Sequence, residues 1–174
     1  MLRRSAFRAL VACLILAAPL VARRSEAASQ VWSGRTFAFA KASGANPALP
    51  ANQDRITPLV WITRASTQGI YNAQSEASYM HFASPAGTEW ATGDAVNHAS
   101  LTFANWETWT SGNPPSTIGI DACVHLIAED IYVDIVFDSW GTMTGGAFSY
   151  HRAVSPGATG IDRGTWGRIK AMYR

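Results

Sequence analysis

The sequence predicts an all-β protein: an antiparallel β-sandwich, jelly-roll-like in its strand count, with short helical pieces near 71–78 and 166–173. No stretch of ten residues sustains a helical apolar stripe. Short β-branched and aromatic runs are instead separated repeatedly by Gly, Pro, Asn and Ser. In Ile131 to Asp138 the odd positions Ile131, Val133, Ile135 and Phe137 are all apolar, while the even ones include Tyr132, Asp134 and Asp138, the pattern of a strand with one face on a core.

The chain opens on a segment of a different kind. Met1 to Arg8 carries three arginines and no acid, and Ala9 to Val21 is apolar except for Pro19, as in the charged and apolar regions of a secretory signal. The run is shorter than the ~20 residues that a membrane span requires. Small residues at Ser25 and Ala27 place cleavage after Ala27, so 1–27 is expected to be a signal peptide and 28–174 a single domain, secreted, periplasmic or at the cell surface. Leu10-Val11-Ala12-Cys13 matches a lipoprotein signal literally, but most of the apolar run follows the cysteine; Arg3-Arg4 lacks the rest of a twin-arginine motif.

Cleavage changes the charge. Arg3, Arg4, Arg8, Arg23 and Arg24 are five of the 14 basic residues and Glu26 one of the 12 acidic ones, so nine bases and eleven acids remain. A mildly acidic domain argues against nucleic acid as a partner. Cys13 leaves with the leader, and Cys123, in an apolar run, reads as a small buried hydrophobe with no cysteine to pair with.

Seven strands are expected: Thr36–Ala40, Val60–Thr63, Tyr79–Phe82, Ser100–Phe103, Cys123–Ala128, Ile131–Trp140 and Ala147–Ala153. Gly44–Gln53 and Ser111–Thr117 read as loops. Polar, Ala-containing Tyr71–Ser78 reads as a short helix, as does the tail, where Trp166, Ile169 and Tyr173 fall at helical spacing. A two-residue turn at Glu129-Asp130 would set Leu126 against Val133 and His125 against Asp134, although Glu-Asp is poor chemistry for that turn. A second turn over Gly141–Gly145 would pair Val136 with Tyr150 and Asp134 with Arg152, aligning His125, Asp134 and Arg152 in one row. Such a row is a solvated structural network, a ligand site or, less naturally, a catalytic centre, because an aspartate between two cations stays ionised.

No standard catalytic motif is present: no nucleophile elbow, zinc helix, phosphate loop or dinucleotide fingerprint. Glu76, Glu89, Glu107, Glu129 and several aspartates could in principle supply a glycosidase pair. The histidines His81, His98, His125 and His151 are scattered, so no metal site is assigned; calcium is the easier ion to imagine, through Asp130, Asp134 and Asp138, but no calcium-loop motif exists. All seven tryptophans follow the leader. Trp61, in Leu-Val-Trp-Ile-Thr, reads as core. Trp106 and Trp109, beside the Pro-rich loop, are the best candidates for exposed rings that would stack on a ligand, with packing as the alternative.

From Leu49-Pro50 through Asn52, Asp54-Arg55-Ile56-Thr57, Trp61 to Arg64, Thr67-Gln68-Gly69-Ile70-Tyr71-Asn72 and Glu76, the chain resembles an uncharacterised family of secreted bacterial proteins. The likeness continues through Ser84 to Ala91, His125-Leu126, Asp130 to Asp134, Ser139-Trp140 and Gly145 to Arg152, covering roughly 48–153. It implies an extracytoplasmic accessory module and no particular reaction. It also singles out Asp54, Arg55, Gln68, Tyr71 and Asn72, which read as a structural network of Arg–carboxylate pairs and hydrogen bonds. Alternatively Arg64, Glu76, His125, Asp134 and Arg152, with Trp106 and Trp109, form one ligand site.

The expectation is therefore an exported non-catalytic binding or adhesion module whose ligand is an extracellular glycan or other polymer. A secreted hydrolase acting on carbohydrate is the alternative, and would need two carboxylates, or a histidine and a carboxylate, converging in a cleft. A structural component of a surface assembly is the third reading, and would show a free strand edge or an apolar patch.

Overall fold

The computed structural model describes residues 28–34, 36–142 and 144–157; the leader and the helical piece expected over 166–173 lie outside them. Nine strands follow in order: β1 (Gln30–Trp32), β2 (Thr36–Lys41), β3 (Asp54–Arg55), β4 (Trp61–Arg64), β5 (Ile70–Asn72), β6 (Thr88–Thr92), β7 (Ala122–Leu126), β8 (Ile131–Trp140) and β9 (Phe148–Ala153). Strands β6 to β9 form an antiparallel meander, β2 adds beside β9, and β1 runs parallel to the start of β8. A second sheet, β3-β4-β5, completes an all-β, sandwich-like fold.

The alternation of β8 does what its sequence requires. Ile131, Val133, Ile135 and Phe137 are buried with Val124 and Leu126 of β7, Phe148 and Tyr150 of β9, and Ile62 and Ile70 of the small sheet. Each such side chain contributes roughly 1.5–3 kcal/mol by leaving water. Trp90, Trp106 and Phe137 meet edge-on or tilted at the centre, with ring centroids 4.9 Å apart for Trp90 and Trp106 and 5.3 Å for Trp106 and Phe137. Cys123 is buried and free, and burial pushes its thiol up to about 12.

Both expected hairpin registers are corrected. The β7–β8 connection takes four residues, Ile127 to Asp130, with Asp130 at φ 51°, so Leu126 pairs with Ile131 and His125 with Tyr132. Aspartate tolerates the left-handed region that closes this longer turn. The shift is by two residues, so the faces are preserved while the partners change. Between β8 and β9, Ile135 pairs with Arg152 and Val136 with His151, and a bulge between Phe137 and Ser139 carries the register to Trp140 and Phe148. This is a one-residue slip from the expected pairing. It turns Arg152 to the inner face and dissolves the row with His125 and Asp134.

Other elements differ for local reasons. The expected helix over 71–78 is absent: Tyr71 and Asn72 end β5 and Ala73–Ser75 form a turn. Asn72 Oδ1 accepts from Trp61 N (2.8 Å) and Gln74 N (3.1 Å), tying the chain to the sheet edge where a helix would begin. Tyr79–Phe82 is irregular, and Ser100–Phe103 leaves the 3-10 turn Ala95–Ser100 without joining a ladder. Trp61 is half-buried on the outside of β4, with the Arg55 guanidinium 4.0 Å over its ring; Val60 and Ile62 enter the core instead. No helix among the described residues is long and apolar enough to cross a membrane.

Candidate functional site

Strand β4 delivers Arg64 to one end of the sandwich with its side chain almost wholly buried. Its Nε donates to the Gln68 carbonyl (2.8 Å), which the left-handed backbone of Gln68 (φ 67°) turns back toward it. Its Nη1 donates to the carbonyls of Gly141 (2.9 Å) and Ala147 (2.8 Å) in the β8–β9 loop. The guanidinium lies 4.0 Å over the Trp140 ring, an attraction between cation and π-face that also fixes the plane of the fork. Burial lowers the Arg64 pKa to about 10, so it remains a cation at neutral pH. The loop can reach it because Gly146 (φ 61°) presses against the Ala65 carbonyl, leaving no room for a Cβ.

A short helix, α1 (Trp106–Trp109), places Glu107 in the same region. Asn105 caps it, accepting from Thr108 N through its side chain at 2.9 Å. Trp106 points into the core and Glu107 outward. Glu107 Oε2 accepts from the Tyr79 hydroxyl (2.6 Å) and from Phe82 N, with His81 Nδ1 3.8 Å away. The Tyr79 hydrogen bond, then that of Phe82, hold the Glu107 carboxyl below its ordinary range, and burial raises the Tyr79 phenol. Tyr79 packs over Gly69, where any Cβ would meet its ring. Phe82 adopts φ 60°, uncommon for a bulky residue, and is 83% exposed.

Arg64, Gln68, Tyr79, His81, Glu107 and Trp140 line one open cleft of about 310 Å3, completed by Trp106 and by the loop at Asn113, Pro114 and Pro115. It offers two aromatic walls, an amide, an imidazole, one carboxylate and one guanidinium. Of this set the sequence singled out Arg64, Gln68 and Trp106, with Glu107 only as one of several carboxylates, and gave no binding role to Tyr79, His81 or Trp140. The available signal was Glu107 between two tryptophans in Asn-Trp-Glu-Thr-Trp, and an isolated His81-Phe82 pair with no apolar alternation around it.

The residues expected to share one site fall in several places: Arg64 and Trp106 line the cleft, Asp134 and Arg152 border a second depression, and Glu76 borders a third. Glu76 clamps the turn after β5, its Oε2 accepting from Asn72 N (2.7 Å) and Ala86 N (2.9 Å), and lines a different depression with Arg55 and Tyr71. Arg152 is buried against Asp54 of β3, a two-point ion pair at 2.6 and 2.7 Å, and the Tyr150 hydroxyl also donates to Asp54. His125 lies parallel to Tyr132, ring centroids 4.1 Å apart, with Nδ1 2.7 Å from Glu89 and Nε2 3.2 Å from Asp130. Trp109 is half-buried, stacks on Trp90 (5.7 Å) and donates to Thr92 (3.1 Å). Trp106 is 1% exposed, so only a small part of its ring can face a ligand.

Asp134 shares the outer face with His125 and borders a shallow depression of about 190 Å3 with Asp94, Asp121, His151 and Arg152. It accepts from Ala95 N at 2.5 Å. Its pKa is raised by burial first and then by the charges of Asp94 and Asp121, against the lowering effect of that hydrogen bond. The aspartates considered for calcium have separate partners: Asp130 faces His125, Asp134 faces Ala95 and Asp138 faces His151 (2.8 Å). Among the described residues no group of three His, Cys, Asp or Glu is arranged to hold a metal ion.

Fold and cleft together define a β-sandwich with an aromatic-walled polar cleft at one end. No protein-family model matches the chain, and neither a curated protein nor a solved structure matches it.

Proposed function

We propose that the domain is a non-catalytic binding module working outside the cytoplasm, with an extracellular glycan or similar polymer as its ligand and the Arg64–Glu107 cleft as its site. The observation that carries this is Phe82. A large apolar ring is held out in solvent, in a backbone conformation that costs on the order of 1–3 kcal/mol, by a hydrogen bond from its own amide to a carboxylate of the cleft. A ring so placed, beside Tyr79 and His81, serves as a stacking platform for a sugar face. The extracytoplasmic setting follows from the leader and the resemblance read in the sequence.

Glycoside hydrolysis at this cleft is disfavoured by its chemistry, which requires an acid and a base or nucleophile. Glu107 is the one carboxylate among the residues lining it, and its hydrogen bonds favour the ionised form. The purified protein, screened on a broad glycan array, is expected to bind a polysaccharide family. Phe82→Ala should weaken that binding about tenfold, roughly 1.4 kcal/mol, without changing the fold. Equal binding by the variant would remove Phe82 as the stacking platform on which this reading rests.

A hydrolase reading is favoured by one separate observation, the raised Asp134 carboxyl beside Asp94 and Asp121. Release of reducing sugar from a polysaccharide, abolished in Asp134→Asn, would establish it. The absence of any release across the same array would dismiss it.

A further inference from the structure

The two buried arginines of the described chain are treated differently. Arg152 is answered by both oxygens of Asp54. Arg64, 4% exposed, is answered only by carbonyls, and no carboxylate pairs with it among the described residues. Lys41 is also buried, its pKa is lowered by that burial and then by the charge of Arg64, and among the described residues it donates to the carbonyls of Gly145 (3.4 Å) and Gly146 (3.3 Å). Arg64 is the one guanidinium lining the cleft, and Glu107 is its one carboxylate.

The donors of Arg64 are unevenly used. Nε and Nη1 are spent on three carbonyls, and Nη2 has no partner among the described residues. Among the described residues the buried side-chain polar atom left unpaired is Trp32 Nε1, so Arg64 Nη2 is not sealed off from solvent. The open donor belongs to a cleft-lining residue whose plane Trp140 fixes. A guanidinium fixed in plane, desolvated and with free N–H groups is a receptor for a carboxylate, sulfate or phosphate oxygen. Glu107, in the same lining, has its Oε2 engaged by the Tyr79 hydroxyl and the Phe82 amide.

We propose that the ligand of this cleft is an acidic polysaccharide, one of whose carboxylate or sulfate groups is seated on Arg64 Nη2. The proposal rests on the cleft being the binding site. The complement to the acid is the Arg64 guanidinium, while the remaining lining offers aromatic faces and hydroxyl partners to the rest of the sugar.

Calorimetric titration of the purified protein with four oligosaccharides tests it: a uronate oligomer, the same oligomer with its carboxyls reduced to alcohols, a sulfated oligomer and a neutral one. The acidic oligomers are expected to bind at least about tenfold more tightly than the reduced and neutral ones, and more weakly as salt rises. Preference for uronate over sulfate, or the reverse, identifies which acid is read. Arg64→Gln should abolish the preference and Arg64→Lys should retain part of it, with circular dichroism reporting whether each variant folds. Equal binding of the uronate and its reduced form by the unaltered protein overturns the acidic ligand. If Phe82→Ala still weakens that binding, the cleft itself stands. Binding of an acidic oligomer that folded Arg64→Gln leaves unchanged overturns Arg64 as its seat. Binding of none of the four overturns both readings, and the wild-type comparison decides even if Arg64→Gln fails to fold.

Discussion

Asp54 on the small sheet accepts from Arg152 on the large one at 2.6 Å (Nε) and 2.7 Å (Nη2), with both side chains buried. The Tyr150 hydroxyl completes the arrangement at 2.7 Å. A salt bridge so enclosed contributes less through its own attraction than through the penalty of leaving one partner alone. Asp54→Ala is therefore expected to cost roughly 3–5 kcal/mol in urea unfolding. The paired change Asp54→Leu with Arg152→Met should recover most of that loss. A single variant as stable as the wild type would show that the pair does not join the sheets.

Asp134 makes a pH prediction of definite sign. Its carboxyl is raised in the folded state by burial and by Asp94 and Asp121, so the folded protein binds that proton more tightly than the unfolded chain. Its contribution to stability is full at low pH and declines as pH rises from the unfolded value through the folded one. Asp134→Asn, which can still accept from Ala95 N, should raise Tm at pH 7 and lose that advantage below the ordinary aspartate range. A difference that is the same at both pH values would contradict the assignment.

Glu107 acts in the opposite direction. Hydrogen bonds from Tyr79 and Phe82 lower its pKa, so its support of the 79–82 segment persists above the ordinary carboxylate range and fades as pH falls through the lowered value. Glu107→Ala should speed amide exchange at Phe82 by about tenfold or more at neutral pH, as a local opening without global unfolding. Unchanged protection would mean that something else holds Phe82 in its left-handed conformation.

Gly146 is expected to be intolerant of a side chain. Its φ of 61° and the Ala65 carbonyl in the position a Cβ would take make Gly146→Ala destabilising by roughly 1–3 kcal/mol. Because Arg64 Nη1 donates to the Gly141 and Ala147 carbonyls of this loop, ligand affinity should fall along with Tm.

The tryptophans separate packing from recognition. Trp106→Ala removes a ring at the core centre and should cost roughly 3–5 kcal/mol, so any loss of binding there would follow from loss of the fold. Phe82→Ala, at an 83% exposed position, should leave stability within about 0.5 kcal/mol. Denaturant curves for both variants check the distinction.

Much of the β architecture was legible because alternation is a local signal. Strand β8 has the bounds its sequence predicts, and β2, β4, β7 and β9 fall within one or two residues of theirs. Strands β1, β3, β5 and β6 were missed: β1 and β5 have three residues and β3 two, too few for a period to show, while β6 (Thr-Glu-Trp-Ala-Thr) mixes polar and apolar residues. The binding cleft was only partly legible. Arg64 and Gln68 stood out in the sequence, but Glu107 lies 43 residues beyond Arg64 and Trp140 a further 33, with no shared motif to join them.

The sequence by itself determined that the chain is Trp-rich and β-forming, that Cys123 behaves as a buried hydrophobe, and which face of β8 forms the core. Those properties depend on composition and on a period of two, which neighbouring residues set among themselves. Which side of the sheet Arg152 joins was decided only by the tertiary structure. A one-residue difference in pairing, set by the β8–β9 loop and the bulge after Phe137, moves it from the row with His125 and Asp134 to the buried partnership with Asp54. The same loop carries the carbonyls that hold Arg64, so one register choice both removes the expected site and builds the cleft. Register in a hairpin is a cooperative property of turn length, bulge and cross-sheet packing, and no residue pattern along β8 or β9 alone contains it.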